Sequence, residues 1–143
     1  MSSYYPAFLE ITDRSCVVIG GGQIAEGKVK HLLACAGQVT FISPKATPNL
    51  QKWASEGKLI WRKRKYQNGD LKNVFLAIAA TNRIKVNRAI ACEARAQRTL
   101  LNVVDNPPLC GFIAPSIVRR GKVTLAISTG GASPALARKL REK

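Results

Sequence analysis

Residues 16–28, CVVIGGGQIAEGK, put Gly20, Gly22 and Ala25 in the spacing G-x-G-x-x-[GA]. That spacing does chemistry in one context, after a strand and at the start of a helix. There the first glycine permits a tight turn, the second lets the backbone approach a pyrophosphate, and the small third residue lets the helix pack close to the sheet. The free N–H groups and partial positive charge of the helix start then attract phosphate. An apolar run precedes this corner and a helical pattern follows it, so Gly20, Gly21, Gly22, Gln23 and Ile24 are expected to hold a dinucleotide. A purely structural turn is the other reading. Dinucleotide sites usually place an acidic residue about 20 positions on, to hold the ribose hydroxyls. Here that place reads Ser43-Pro44-Lys45, and no acid stands between Glu26 and Glu56. Ribose must then be held by Ser43 or by backbone groups, and Lys45 could take a 2′-phosphate. NAD and NADP both remain open.

Asp105 offers the second chemistry. It closes the apolar run TLLNVVD and precedes Asn106-Pro107-Pro108, which places it on a rigid turn. A carboxylate there could accept a proton as a hydride leaves the same substrate; an aspartate that bonds its own backbone in a turn is the alternative. Thr81 and Asn82 end a second apolar run on the same side of the expected sheet. STGGASP, residues 128–134, gathers Ser128, Thr129, Gly130 and Ser133 ahead of a proline. This loop could receive carboxylates, or could simply cap a helix with Ser133 at the N-cap and Pro134 in first place.

The remaining reactive residue types point to structure. His31, the only histidine, sits mid-helix beside Lys30, where a surface role is expected and no metal site forms. Cys16, Cys35, Cys92 and Cys110 are separated by 19, 57 and 18 positions, which fits neither a metal site nor a redox dithiol. They read as reduced thiols, with Cys16 and Cys35 in the core of a strand and a helix.

The elements that must position these groups follow from the apolar pattern. Strands are expected at 15–20, 38–43, within KLIWRKRKY, at 73–81 and at 99–105. Helices are expected over 23–36, with Ala25, Val29, Leu32, Leu33 and Ala36 facing inward and Gly37 ending it, and over about 49–56. A third, from Arg83, would bury Val86, Ala89, Ile90 and Ala94. Alternating strands and helices of this length imply an α/β, Rossmann-like doubly wound parallel sheet. Two further strands joined near Gly121 without a helix between them should pair as a β-hairpin, followed by a basic, truncated C-terminal helix. The expected division is 1–111 for the nucleotide-binding domain and 112–143 for the hairpin and helix.

The chain has 143 residues, 46% of them hydrophobic, which suits one main core. No apolar run reaches the roughly 18 to 20 residues that span a bilayer, and the start shows no secretion signal, so a soluble, cytoplasmic protein with no membrane partner is expected. Twenty-three Lys and Arg against eight Asp and Glu give a net charge of +15, which favours polyanionic partners. The basic run WRKRKY, residues 61–66, has aromatics at its ends, but on a strand its charges serve to discourage edge pairing, and no nucleic-acid role is assigned.

Taken in order, YPAFLEITDRSCVVIGGGQIAEGK, AIAATN, NVVDNPP, FIAPSIVRRG and AISTGGASPALARKLR resemble the dehydrogenase module of siroheme synthases, the precorrin-2 dehydrogenase family. The resemblance covers nearly the whole chain. It implies oxidation of precorrin-2 to sirohydrochlorin in siroheme biosynthesis with NAD as hydride acceptor, in some members joined to ferrochelatase activity. The substrate would be a tetrapyrrole with eight carboxylate arms, which suits a basic protein. It further implies a catalytic role for Asp105, cofactor contacts from Gly20 to Ile24, Ser43 to Lys45 and Thr81, and substrate contacts from Asn102, Ser128, Thr129, Gly130 and Ser133. The segment from Phe112 to Thr129 corresponds to the region where family members exchange strands as homodimers. A non-catalytic NAD-binding sensor is the alternative. Where the family commonly has Arg-Lys after the first helical turn, this chain has Gly27-Lys28, a glycine expected to weaken the helix by about 1 kcal/mol relative to alanine.

Overall fold

Short apolar runs become strands, and the helical spacings between them become helices: β1 Ser15–Ile19, α1 Gln23–Ala34, β2 Gln38–Ile42, α2 Pro48–Ser55, β3 Ile60–Arg62, β4 Leu76–Ala79, α3 Ile84–Gln97 and β5 Leu100–Val103. The computed structural model describes residues 4–130 and 134–142. Two compact units are present: one is Phe8–Gly111, and the other joins the N-terminal residues up to Ala7 to the segment from Phe112 onward. Among the described residues no helix is long and apolar enough to cross a membrane.

The first unit is a parallel sheet in the order β3-β2-β1-β4-β5. Chain order runs outward from β1 in both directions, so the sheet reverses its winding between β1 and β4. Ligands in such sheets bind beyond the carboxyl ends of the strands at that reversal. Four-residue β4 is buried throughout, as a strand covered on both faces should be. Val17 and Ile19 pack with Ile90 and Ala94 of α3, while Cys16 and Val18 point the opposite way, toward α1 with its buried Ala25, Val29 and Leu32. Among the described residues, the buried hydrophobic ones lie between Ile11 and Val103.

Four expectations need correction. α1 stops at Ala34, and Ala36, with φ of 61°, takes the left-handed position that Gly37 was expected to hold. The bonds from the Ala36 N–H to the Leu33 carbonyl (3.1 Å) and from the Gly37 N–H to the Leu32 carbonyl (3.1 Å) make a Schellman cap. Gly37 is needed for space, since a Cβ there would stand 3.2 Å from both Cys16 Sγ and Ile11 Cδ1. Cys35 is therefore the exposed C-cap and lies outside the core. On α3, Ala89 is exposed and the buried face carries Asn87 and Glu93 instead. Glu93 is satisfied there: the Tyr66 hydroxyl donates to one oxygen, and the Gly69 and Leu71 N–H groups donate to the other at 3.0 and 2.9 Å. Finally, the strand expected within KLIWRKRKY shrinks to three residues at the sheet edge, where Trp61 stacks on buried Phe41 at 5.6 Å.

In the second unit, β6 Ser116–Arg120 and β7 Val123–Ile127 pair antiparallel. Their two-residue turn places Gly121, with φ of 59°, at its first position, where a type II′ hairpin needs positive φ. No residue of either strand is fully buried, and Val123 and Leu125 are more than half exposed. α4 spans Pro134–Arg141.

Candidate functional site

The glycine corner leaves β1 between its two neighbouring strands. The Gly20 N–H donates to the Ile42 carbonyl at 2.9 Å, and the Ala80 N–H donates to the Ile19 carbonyl at 2.8 Å. With φ of 135°, and with Ala80 O only 2.6 Å from where a Cβ would stand, Gly20 admits no side chain. Gly21 is tighter still: a Cβ would lie 1.9 Å from Lys45 O and 2.8 Å from Ser43 Oγ. At Gly22 the situation reverses, because a Cβ would meet nothing within 4 Å. Gly22 is the N-cap of α1 and no side chain caps that helix start, so the backbone of the first turn faces open space beside exposed Gln23 and Ile24. Ala25, 1% exposed, seats the helix against the sheet.

The loop after β2 is fastened to this corner. The Thr47 N–H donates to the Gly21 carbonyl at 3.0 Å, the Thr47 hydroxyl donates to Glu26 Oε1 at 2.6 Å, and Asn49 Nδ2 donates to Glu26 Oε2 at 3.3 Å. Thr47 Oγ1 also accepts from the Leu50 N–H and so caps α2. Ser43 packs at the corner, where its carbonyl accepts from Trp61 Nε1 at 2.9 Å, while Pro44 and Lys45 are exposed. Sequence reasoning missed Glu26 as a clasp, although an acid four residues past an uncapped glycine was the available signal.

Thr81 follows β4 at the same sheet edge. Its hydroxyl donates to Asn87 Oδ1 and accepts from the Arg83 N–H, both at 3.1 Å, and Asn87 Nδ2 returns a bond to the Thr81 carbonyl at 3.1 Å. The hydroxyl is largely consumed in shaping the β4–α3 loop. A buried asparagine in a helix was the missed signal for this arrangement.

Asp105 follows β5, again at the carboxyl edge. It is exposed, its φ is 59°, and its side chain has no hydrogen bond or ion pair among the described residues. The turn that carries it closes with the Asn106 N–H on the Val103 carbonyl at 3.1 Å. Asn102 lies two strand positions before Val104 and is buried, with Nδ2 directed at Cys110 Sγ at 3.7 Å. Burial raises the Cys110 thiol above its ordinary value, so it keeps its proton near neutral pH. The structure thus brings Gly20 to Ile24, Ser43 to Lys45, Thr81 and Asp105 to one edge of one sheet. Ser128, Thr129 and Gly130 belong to the second unit, where the Gly130 N–H donates to Ser128 Oγ at 3.0 Å. Ser133 lies outside the described residues.

A dinucleotide fits the corner on local chemistry. Open space above Gly22 and an uncapped helix start provide N–H donors for a pyrophosphate, and the missing ribose acid leaves Ser43, backbone groups and Lys45 in its place.

Comparison with known proteins gives one consistent result. A family model described as "Putative NAD(P)-binding" matches residues 7–116, and one described as "Sirohaem biosynthesis protein central" matches residues 120–143. The siroheme synthase of Nitrosospira multiformis is 45% identical over 99% of this chain and 31% of its own length. That of Methylobacillus flagellatus is 44% identical over 96% of this chain and 30% of its own. The chain spans less than a third of these curated relatives. Among solved structures, SirC, a precorrin-2 dehydrogenase, superimposes with a TM-score of 0.87 and 32% identity, covering 97% of this chain and 68% of that one.

Proposed function

Since the chain belongs to the NAD(P)-binding family of siroheme synthase and precorrin-2 dehydrogenase modules, we propose that it oxidises precorrin-2 to sirohydrochlorin with NAD as acceptor. The observation that carries this reading is the open face of Gly22 at an uncapped helix start, on the same sheet edge as the exposed carboxylate of Asp105.

The residues divide the work. The N–H groups from Gly22 to Ile24 hold the pyrophosphate, and Ser43 to Lys45 flank the ribose, with Thr81 contributing through its backbone. NAD, when bound, supplies the carbon that takes a hydride. Removing two hydrogens from the tetrapyrrole also releases a proton, and Asp105 accepts it. Asn102, Ser128, Thr129, Gly130 and Ser133 receive substrate carboxylates through amide, hydroxyl and N–H groups. A net charge of +15 draws a ligand with eight carboxylates toward the protein. A nucleotide-binding unit over Phe8–Gly111 and a separate unit that contains the hairpin suit two such ligands. The hairpin pairs with a second copy of the chain, because two strands with no buried residue are marginal alone. We place the enzyme in the cytoplasm.

The test is anaerobic incubation with precorrin-2 and NAD, then with NADP, following reduced nicotinamide and the sirohydrochlorin spectrum together. Asp105→Asn keeps a residue that tolerates the left-handed turn. We expect it to bind NAD as the parent does while losing at least about 100-fold in kcat. Unchanged turnover removes Asp105 from the mechanism; NAD binding without turnover by the parent chain favours a sensor.

A further inference from the structure

Asp105 occupies a backbone region that non-glycine residues seldom adopt, and such a conformation persists where its surroundings over-determine it. Its carboxylate has no partner among the described residues, so only the turn fixes where its Cα–Cβ bond points. The turn is enclosed by the chain that follows it. Pro107–Leu109 form a 3-10 turn, the Cys110 N–H donates to the Pro107 carbonyl at 3.0 Å, and the Gly111 N–H donates to the Leu101 carbonyl at 2.7 Å. This return brings Cys110 Sγ into the turn. The Val103 N–H donates to it at 3.2 Å, and the thiol faces the Val103 and Asn106 carbonyls at 3.2 and 3.4 Å. Those two residues bracket Val104 and Asp105, so one sulfur atom ties both ends of the turn. A neutral thiol suits this place because it accepts and donates at once.

We infer that Cys110 is a positioning residue for the proposed proton acceptor Asp105, holding its turn in the left-handed conformation through the Val103 and Asn106 backbone. The inference rests on the reading of Asp105 given above, and it concerns a thiol that touches neither substrate nor cofactor. Cys110→Ala removes these contacts together with the one from Asn102 Nδ2. Cys110→Val keeps the bulk and removes the polarity. Cys110→Ser restores a group that both donates and accepts.

The experiment joins a structural readout to a kinetic one. In the Cys110→Ala and Cys110→Val proteins, the strong intraresidue amide–Hα NOE that positive φ gives Asp105 weakens, and the Val103 amide exchanges at least about tenfold faster. Turnover of precorrin-2 falls by about 10- to 100-fold while KM for NAD stays within about twofold. Cys110→Ser recovers most of the rate, and Asp105→Asn combined with Cys110→Ala is no slower than Asp105→Asn alone. An unchanged Asp105 amide–Hα NOE with unchanged kcat overturns the inference, as does a double variant in which the two losses multiply. Should the alanine protein fail to fold, the valine and serine proteins decide the matter. If the parent chain makes no sirohydrochlorin, the reading of the reaction falls, while the NOE and amide exchange still decide whether the thiol holds the turn.

Discussion

Gly21 and Gly22 are neighbours with opposite surroundings, and that contrast separates fold from function. At Gly21 an added methyl collides with the Lys45 carbonyl, a backbone atom that cannot swing aside. Gly21→Ala should therefore lower the melting temperature and NAD affinity together. Gly22→Ala meets no protein atom, so it should cost under about 1 kcal/mol of stability at the N-cap. It should still weaken NAD binding at least about tenfold, because the methyl occupies the space a pyrophosphate needs. Calorimetric titration and thermal melts on both proteins check this; equal NAD affinity in Gly22→Ala would move the dinucleotide elsewhere. Cys16 makes a different prediction. Burial raises its thiol from 9.0 to about 11. The unfolded chain releases that proton near pH 9, whereas the folded chain keeps it to about pH 11. The contribution is thus complete below pH 9 and lost between pH 9 and about pH 11, at most roughly 2 to 3 kcal/mol. Urea unfolding across that window should show the decline, and Cys16→Ala should remove this share of it from a lower starting stability.

Among the elements, α1 carries two residues chosen against its own stability. Gly27 lies mid-helix, exposed, with nothing near its missing Cβ, and Ala36 holds the left-handed cap position where glycine is favoured. Gly27→Ala and Ala36→Gly should each raise stability, by about 1 and about 0.5 to 1 kcal/mol, read as additive increments in denaturant midpoint. The same helix shows what could be read beforehand. Strands, the glycine corner and the Asp105 turn were legible because apolar period, glycine spacing and proline are local signals. The end of α1 was misplaced because glycine at 37 looks like a cap, while its real constraint is contact with Cys16 and Ile11 across the fold. For the same reason Glu26, Asn87 and Cys110 escaped notice: their partners lie 21, 6 and 7 positions away along the chain, and only folding brings them into contact. Buried Glu93 was hidden because a charged residue on a helix normally faces water, and its hydrogen-bond donors come from a loop 22 to 27 residues distant.

At the scale of the molecule, the two units differ in how they are held. Phe8–Gly111 encloses a core from Ile11 to Val103, whereas the hairpin leaves Val123 and Leu125 more than half exposed. If the hairpin pairs with a second copy, Leu125→Lys should raise the dimer dissociation constant at least about tenfold without moving the melting of the first unit. Light scattering across a dilution series checks this, and a mass of one chain at every concentration for the parent protein would end the dimer reading. The clasp from Glu26 to Thr47 and Asn49, with Thr47 on the Gly21 carbonyl, has its own consequence. It makes the glycine corner and the loop after β2 a single preorganised piece, so a dinucleotide bound there as proposed would have little loop to order on binding. If the dinucleotide binds as proposed, discrimination between NAD and NADP falls to the exposed side chain of Lys45 instead of to loop motion. On that reading, cofactor choice would change by one surface substitution while the architecture that carries it stays as it is.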